Sequence, residues 1–458
     1  MKDNGIIAAI ATAYGSGAIG IVRMSGEGVL HLLAQIFSAK GGAPLKVEKV
    51  ESHRMYYGNI HVNGEVIDEV MVCPMLAPRS YTKEDTVEIY AHGGMVVLRS
   101  VLEAALRKGA RLAQPGEFTK RAFLNGRINL TQAEAVMDLI NAGSDAARRA
   151  GLRQLGGGLS RRIEGLRNTI LHWLAHIELS IDYPEHEEEA KTMAQILGEG
   201  GEVMAGLKAL YKTAAVGRML QEGIKTAIVG RPNAGKSTLL NAILSEDRAI
   251  VHEQAGTTRD ILTERVVVGG VPLLLMDTAG IRETTDPVEK IGVEKTQQAA
   301  EEAELVLYVI DRTQGFNPED EEMLMRLKNK PVIVLLNKSD LPAEETAIKA
   351  DAFPVIDIST RTGHGLDKLY EEIGSLLLSG LGDANSDGDI ITRERHRILI
   401  EEAMLHVSAA MAEIAQGVPE DLVSVGLRAA YMALGEVLGV EVADDIVDRI
   451  FEEFCLGK

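Results

Sequence analysis

The sequence predicts a multidomain chain: an α+β domain at the N-terminus, and an α/β unit with a doubly wound, mostly parallel sheet inserted into an all-α domain made of two separate segments. Three observations carry this. Short apolar runs broken by turns dominate residues 1–118. Apolar positions at helical spacing follow, and return near the C-terminus. Between those helical stretches, apolar strand-like runs alternate with helical patterns, as in a parallel sheet with crossover helices.

In chain order, "IIAAIATAY", "IGIVRMSG", "VMVCPML" and "TVEIYAHGG" read as strands, and "MVVLRSVLEAALRKG" as a helix. These make the N-terminal domain, 1–118. "PGEFTKRAFLNGRINLTQAEAVMDLI" opens the first helical segment, 119–217. Thr131 and Glu134 have the spacing of a capping box there. Ile163, Leu166, Ile170, Leu174 and Ile177 share a helical face, and Gly156, Gly157 and Gly158 predict a helix end or kink. The α/β unit, 218–378, holds "KTAIVG", "LLLMDTAG", "ELVLYVIDR", "PVIVLLNKSD" and "FPVIDIST". The polar stretch "SGLGDANSDGDI" opens 379–458, a linker and the second helical segment.

Composition narrows the function classes. A formal net charge of −19 argues against passive, whole-surface binding to nucleic acid, so any RNA contact needs a local basic patch or a partner. Arg393, Arg395, His396 and Arg397, with Arg148, Arg149, Arg161 and Arg162, are the candidate patch. No stretch has the length of a membrane-spanning helix, and the N-terminus has neither a charged leader region nor an Arg-rich transit pattern. Two cysteines, Cys73 and Cys455, make no disulfide framework; a reducing cytoplasm is the expected location.

"GRPNAGKST", Gly230 to Thr238, follows an apolar strand and precedes a helix, which is the context a phosphate loop requires. Asn233, Ala234, Gly235, Lys236, Ser237 and Thr238 form the cradle: backbone amides face phosphate oxygens, Lys236 reaches the β- and γ-phosphates, and Ser237 ligates Mg²⁺. "DTAG" (Asp277, Thr278, Ala279, Gly280) ends a strand as the metal-side and γ-phosphate sensor, and Thr258 in "GTTRD" is the switch threonine. "NKSD" supplies Asn337, Lys338 and Asp340; the Asp340 carboxylate accepts two hydrogen bonds that guanine donates and adenine cannot, worth about 10⁴-fold in discrimination. Ser359 completes the base pocket, so the nucleotide is GTP. The position of the water-orienting glutamine of Ras-type enzymes holds Ile281, which cannot orient water. Glu289 is a candidate for that role, against the plainer reading of a solvated helix charge, and Asn233 for holding a monovalent cation beside the phosphates.

These motifs, with "IATAYGSGAIGIVRMSG", "YTKEDTVEIYAHGG", "PGEFTKRAFLNGRINLTQAEAV", "DTAGIRETTDPVEKIG" and the terminal "FCLGK", give a chain that resembles the bacterial tRNA modification GTPase family MnmE (TrmE) along its whole length. The resemblance implies an N-terminal tetrahydrofolate-binding domain that dimerises, a discontinuous helical domain, and an inserted Ras-like P-loop G domain. It implies a homodimer working with the flavoprotein MnmG, in a heterotetramer or larger, with FAD only on that partner. The product is a carboxymethylaminomethyl or aminomethyl group at C5 of the wobble uridine, position 34 of tRNA. A 5,10-methylene or 5-formyl tetrahydrofolate supplies the one-carbon unit, and K⁺ activates GTP hydrolysis as G domains meet. By residue, the match gives Mg²⁺ to Ser237 and Thr258, and K⁺ to Asn233, Thr257 and the backbone oxygens of His252 and Gln254. It makes Glu289 catalytic, against the solvated-charge reading, and gives folate contacts to Arg23, Glu88, Arg127 (Lys in some relatives) and Lys458. Cys455, too poor a prenylation box in "CLGK", becomes a thiol near the folate that serves modification and not GTP hydrolysis. A small, buried helix-end residue is its plain alternative.

Three patterns are weighed and set lower. "GSGAIG" spells a dinucleotide fingerprint but leads into a strand and lacks the downstream acid, so it reads as a turn. Asp383, Asn385, Asp387, Gly388, Asp389 and Glu394 fit a calcium loop position by position, yet an interdomain linker gathers the same residues and is favoured. "DYPEHEEEA" reads as a solvated turn before a metal cluster. The rival function is a GTP-dependent switch resembling Era or Der, which lacks the N-terminal domain; folate binding by residues 1–118 separates the two.

Overall fold

The computed structural model describes residues 5–13, 15, 17–182, 189–245, 264–276, 299–342, 353–378, 389–440 and 442–457. The chain forms two compact units: Met1–Met137 with Gly435–Lys458, and Asp138–Leu434. The first unit therefore runs past residue 118 and includes the C-terminal end of the chain.

In the first unit, β1 (Ile7–Ile10), β2 (Ile19–Ser25), β3 (Phe37–Ala39), β4 (Ala43–Pro44), β5 (Tyr56–Val62), β6 (Glu65–Met75), β7 (Thr86–His92) and β8 (Arg111–Leu112) form one sheet, in the order β4-β3-β5-β6-β7-β2-β1-β8. All pairings are antiparallel except β1 with β8. The period-two alternation of the strands decides the faces. Val22 and Met24, Val70 and Val72, and Val87 and Ile89 point into a core closed by α1 (Val29–Ile36) and α2 (Met95–Arg107). The residues between them lie on the opposite face. There the register aligns Cys73, Glu88, Arg23 and Ala9 across four adjacent strands.

That second face is partly covered. Ile7, Ala9, Ala113 and Phe118 form a small cluster, with Tyr81 and Leu456 packed against it. Phe118 belongs to α3 (Glu117–Leu124). Leu130, Ala133 and Met137 of α4 (Leu130–Ile140) pack on Val447, Phe451 and Phe454 around the C-terminal helix Asp444–Glu452. The box predicted at Thr131 and Glu134 is displaced by two residues. Asn129 Oδ1 accepts from the Gln132 amide at 3.0 Å, and Gln132 Oε1 accepts from the Asn129 amide at 3.0 Å. Thr131 lies inside the helix, fully buried. Both N-x-x-Q and T-x-x-E spell a cap; packing of Leu130 and Ala133 places the first turn two residues earlier.

In the second unit, α5 (Asp145–Leu155), α6 (Gly158–Asp182), α7 (Glu189–Glu222) and a helix at Glu394–Ala415 pack together. The glycine break separates α5 from α6 as expected, with Gly157 at φ 79. The α/β sheet holds β9 (Ile224–Gly230), β10 (Glu264–Val268), β11 (Val271–Leu275), β12 (Leu305–Asp311), β13 (Val332–Asn337) and β14 (Val355–Asp357), in the order β10-β11-β9-β12-β13-β14. Only β10–β11 is antiparallel. Leu305, Leu307 and Val309 join one core and Val306, Tyr308 and Ile310 another, so the sheet is covered on both faces. The returning chain runs against α7: Ile391 donates to Thr213 Oγ1 at 3.1 Å, and a Cβ at Gly217 would stand 1.8 Å from the Ile391 carbonyl. The α/β unit is thus inserted in the helical domain, as the sequence predicts.

Candidate functional site

The phosphate loop joins β9 to α8 (Lys236–Ser245) at the carboxyl end of the sheet, where ligands bind in open α/β folds. Asn233 has φ 61, Gly230 φ 145 and Gly235 φ 100, which turns the loop tightly enough to line up backbone amides. A Cβ at Gly230 would stand 2.1 Å from the Val309 carbonyl, and one at Gly235 2.0 Å from Asn337 Nδ2. Both positions require glycine on space as well as backbone. The Lys236 ammonium donates to the carbonyls of Gly230, at 2.8 Å, and Arg231, at 2.7 Å. Burial lowers its pKa from the ordinary lysine value. Ala234 is buried, Asn233 and Thr238 are exposed, and Ser237 is half-buried at the second position of α8.

The base side is built from the ends of β12 and β13, which the register places side by side at Asp311 and Asn337. Asn337 is 1% exposed. Its Nδ2 donates to the Ala234 carbonyl at 2.9 Å, and its Oδ1 accepts from the Thr360 amide at 3.2 Å. One side chain therefore ties the phosphate loop to the loop after β14. Lys338, at φ 67, donates from Nζ to Asp311 Oδ2 at 2.6 Å. Burial works against the Asp311 charge, yet hydrogen bonds from Lys338 and Thr313 outweigh it and hold the carboxyl below its usual range. Asp340 accepts from Ser359 Oγ at 2.7 Å, and that bond keeps its carboxyl below the ordinary aspartate value. Asn233 to Gly235 lie in the loop after β9 and Lys236 to Thr238 in the first turn of α8; Asn337 ends β13, Lys338 and Asp340 follow it, and Ser359 lies in the loop after β14. Thr257, Thr258, His252, Gln254, Asp277, Thr278, Ala279, Gly280 and Glu289 lie outside the described residues.

A second constellation lies on the partly covered sheet face of the first unit. Glu88 Oε1 accepts from Arg23 Nε at 2.9 Å and from Nη2 at 2.7 Å, and Glu88 Oε2 accepts from the Tyr90 hydroxyl at 2.7 Å. The Glu88 bond pushes the Tyr90 hydroxyl up to about 12. Arg23 Nη1 also donates to the Gly457 carbonyl at 3.4 Å. The Cys455 carbonyl accepts from the Gly116 amide at 3.4 Å, and Cys455 is exposed. Tyr81 carries two guanidinium groups: Arg127 at 4.7 Å and Arg23 at 5.5 Å from its ring centroid. Arg23, Glu88 and Arg127 thus share one neighbourhood through Tyr81, whose place at the head of "YTKEDTVEIYAHGG" carries no signal of that role. Asp311, the partner of Lys338, was missed as well; its signal was an acid ending an apolar strand. Lys458 lies outside the described residues.

The basic patch is largely consumed by internal contacts. Arg393 pairs with the buried Asp138, Arg397 with Glu394 and Glu401, and Arg148 and Arg149 with Asp145. Arg161 donates to the Gly156 carbonyl, and His396 is fully buried. Glu394, offered as the last ligand of a calcium loop, starts a helix and bonds Arg397; Asp383, Asn385, Asp387 and Gly388 lie outside the described residues, as do Glu185 to Glu188. Among the described residues no group of three or more metal-ligating side chains gathers, and no helix is long and apolar enough to cross a membrane.

Comparison with known proteins matches residues 6–127 to the model of the GTP-binding protein TrmE N-terminus and residues 130–455 to the MnmE helical domain. The tRNA modification GTPase MnmE of Geobacillus kaustophilus is 46% identical over 100% of both chains. That of Lacticaseibacillus paracasei is 46% identical over 99% of this chain and 98% of its own. A crystal structure of Aquifex aeolicus Era bound to GDP and AlF4⁻ is 33% identical, covering 40% of this chain and 66% of its own, with a TM-score of 0.26. An identity of that level, sustained from end to end and joined by domain models that cover more than half of the sequence, means that the chain belongs to the tRNA modification GTPase MnmE family.

Proposed function

We propose that this chain is a GTP-hydrolysing tRNA modification enzyme. The observation that carries the reading is Asn337, bonded at once to the phosphate loop and to the loop of Ser359, which builds a guanine nucleotide site in one piece. The Asp340 carboxylate, held ionised, accepts from the guanine edge. Lys236 leaves its two carbonyls for the β- and γ-phosphate oxygens. In hydrolysis, water attacks the γ-phosphorus, the bond to the β–γ bridging oxygen breaks, and its electron pair leaves with GDP. Glu289 orients that water. When bound, Mg²⁺ on Ser237 and Thr258, and K⁺ on Asn233, Thr257 and the backbone oxygens of His252 and Gln254, supply the positive charge that an arginine finger supplies elsewhere. The αL turn at Asn233 presents an exposed amide side chain beside the loop, which suits that role.

On this reading the sheet face of the first unit holds a 5,10-methylene or 5-formyl tetrahydrofolate through Arg23, Glu88, Arg127 and Lys458. Cys455 serves the modification chemistry, at C5 of the wobble uridine, position 34. The chain works in the cytoplasm as a homodimer with the flavoprotein MnmG, which carries the FAD. Residues 1–118 form the folate-binding domain, with Arg127 and Lys458 reaching the ligand from beyond it; 119–217 and 379–458 form the helical domain, and 218–378 form the G domain.

The test is GTP turnover in KCl against NaCl at equal ionic strength, with Asn233→Ala beside wild type. The expected result is a K⁺ stimulation on the order of tenfold or more that the variant loses. Equal turnover in both salts would remove the cation from the mechanism.

A further inference from the structure

An open cleft of about 580 Å³ is lined by Arg79, Lys83, Arg127, His53, Ser80 and Tyr81, among others. Small-molecule sites span about 300–1,000 Å³, so the size is that of a ligand site. Its charge is the reverse of the molecule's. Three permanent cations line it and no carboxylate does, in a chain of net charge −19. Among the described residues none of the three has an ion-pair partner: Lys83 donates to the Gly126 carbonyl, and Arg127 to that of Tyr81. The nearest acids in sequence are occupied elsewhere, Glu84 with Arg121 and Ser25, and Asp85 with the Ala77 amide. Lys83 and His53 both sit at positive φ, 59 and 63, a strain that non-glycine residues carry where the position matters.

We propose that this cleft binds the γ-linked oligoglutamate tail of a polyglutamylated folate. The inference rests on the folate reading above and specifies the form of the ligand. Tyr81 contacts two groups of different chemistry, Arg23 with its Glu88 partner outside the cleft and Arg127 within it. The Arg23–Glu88 pair offers a carboxylate and a guanidinium to a neutral, hydrogen-bonding heterocycle. The cleft offers positive charge without a carboxylate, spread over three side chains of different reach. A γ-linked tail is extended and flexible and adds one carboxylate with each glutamate. Such a polyanion is bound by several separated cations in an open groove better than by one enclosed bidentate site.

Calorimetry on the full-length chain compares the monoglutamate and pentaglutamate forms of 5-formyltetrahydrofolate, in wild type and in Arg79→Ala/Lys83→Asn. Asparagine tolerates the left-handed backbone at position 83, and both side chains are exposed, so the variant keeps its fold; its melting midpoint checks this. The expected result is a pentaglutamate affinity about tenfold above the monoglutamate affinity at low salt, the scale of two or three exposed ion pairs acting together. The variant brings the two forms level and leaves the monoglutamate affinity unchanged. Wild type that binds both forms equally would overturn the inference and leave the folate reading standing. Wild type that binds neither form would overturn both. A variant that keeps the pentaglutamate preference and loses tRNA affinity would assign the cleft to RNA phosphates instead.

Discussion

Replacing Asn337 with alanine removes two hydrogen bonds from a side chain that is 1% exposed. The Ala234 carbonyl loses a donor at 2.9 Å, and the Thr360 amide loses an acceptor at 3.2 Å. Each bond contributes about 0.5–1.5 kcal/mol net, so the pair is worth about 1–3 kcal/mol. Water cannot readily replace them, because Ala234 is itself buried at 1%. The tie holds the phosphate loop against the base-side loop, so its loss falls on nucleotide binding. A coupling of about 1–3 kcal/mol corresponds to an affinity about 5- to 150-fold weaker. GDP avoids turnover during the measurement, and calorimetry with wild type and Asn337→Ala gives the ratio directly. Thermal melting of both proteins separates a local effect from general loss of the fold. If the variant bound GDP within about twofold of wild type, the two loops would be held by other contacts, and Asn337 would not join the site.

Two further expectations concern the first unit. Glu117 is buried, which works against its charge, but Arg111 bonds both carboxylate oxygens and Gln114 and Arg121 add to them, so its pKa falls below the ordinary value. A depressed carboxyl contributes fully above its unfolded value, about 4.3, and that contribution is lost as pH falls through the folded value. Wild type should therefore lose melting temperature between pH 5 and pH 3 more steeply than Glu117→Gln; parallel slopes would mean that the pairing adds nothing. At Gly457, φ is 88 and a Cβ would meet the Ile10 carbonyl at 2.3 Å, so Gly457→Ala must displace the segment whose carbonyl Arg23 contacts. Folate affinity should fall while GTP turnover stays unchanged; an unaltered folate affinity would take the C-terminal segment out of that site.

The sequence by itself determined the phosphate loop, the order of strands and helices in the α/β unit, and the insertion of that unit between helical segments. The physical reason is locality. The loop is one contiguous run recognisable from its own spacing, and amphipathic periods are properties of neighbouring residues. Only the tertiary structure decided what depends on register and on distant returns of the chain. Arg23 meets Glu88 because β2 and β7 pair at that step; a slip of one strand by one residue would put the two side chains on opposite faces. Lys338 finds Asp311 because β12 and β13 end level. The cap of α4 fell to Asn129 over Thr131 because packing of Leu130 and Ala133 on the C-terminal helix chose between two equally legible starts. Of the arginines read as a basic patch, Arg148, Arg149, Arg393 and Arg397 find carboxylates and Arg161 a carbonyl, partners that a string of letters does not reveal. Tyr81 joins the Arg23–Glu88 pair to the basic cleft only once Arg23 and Arg127, more than a hundred residues apart in sequence, close on its ring.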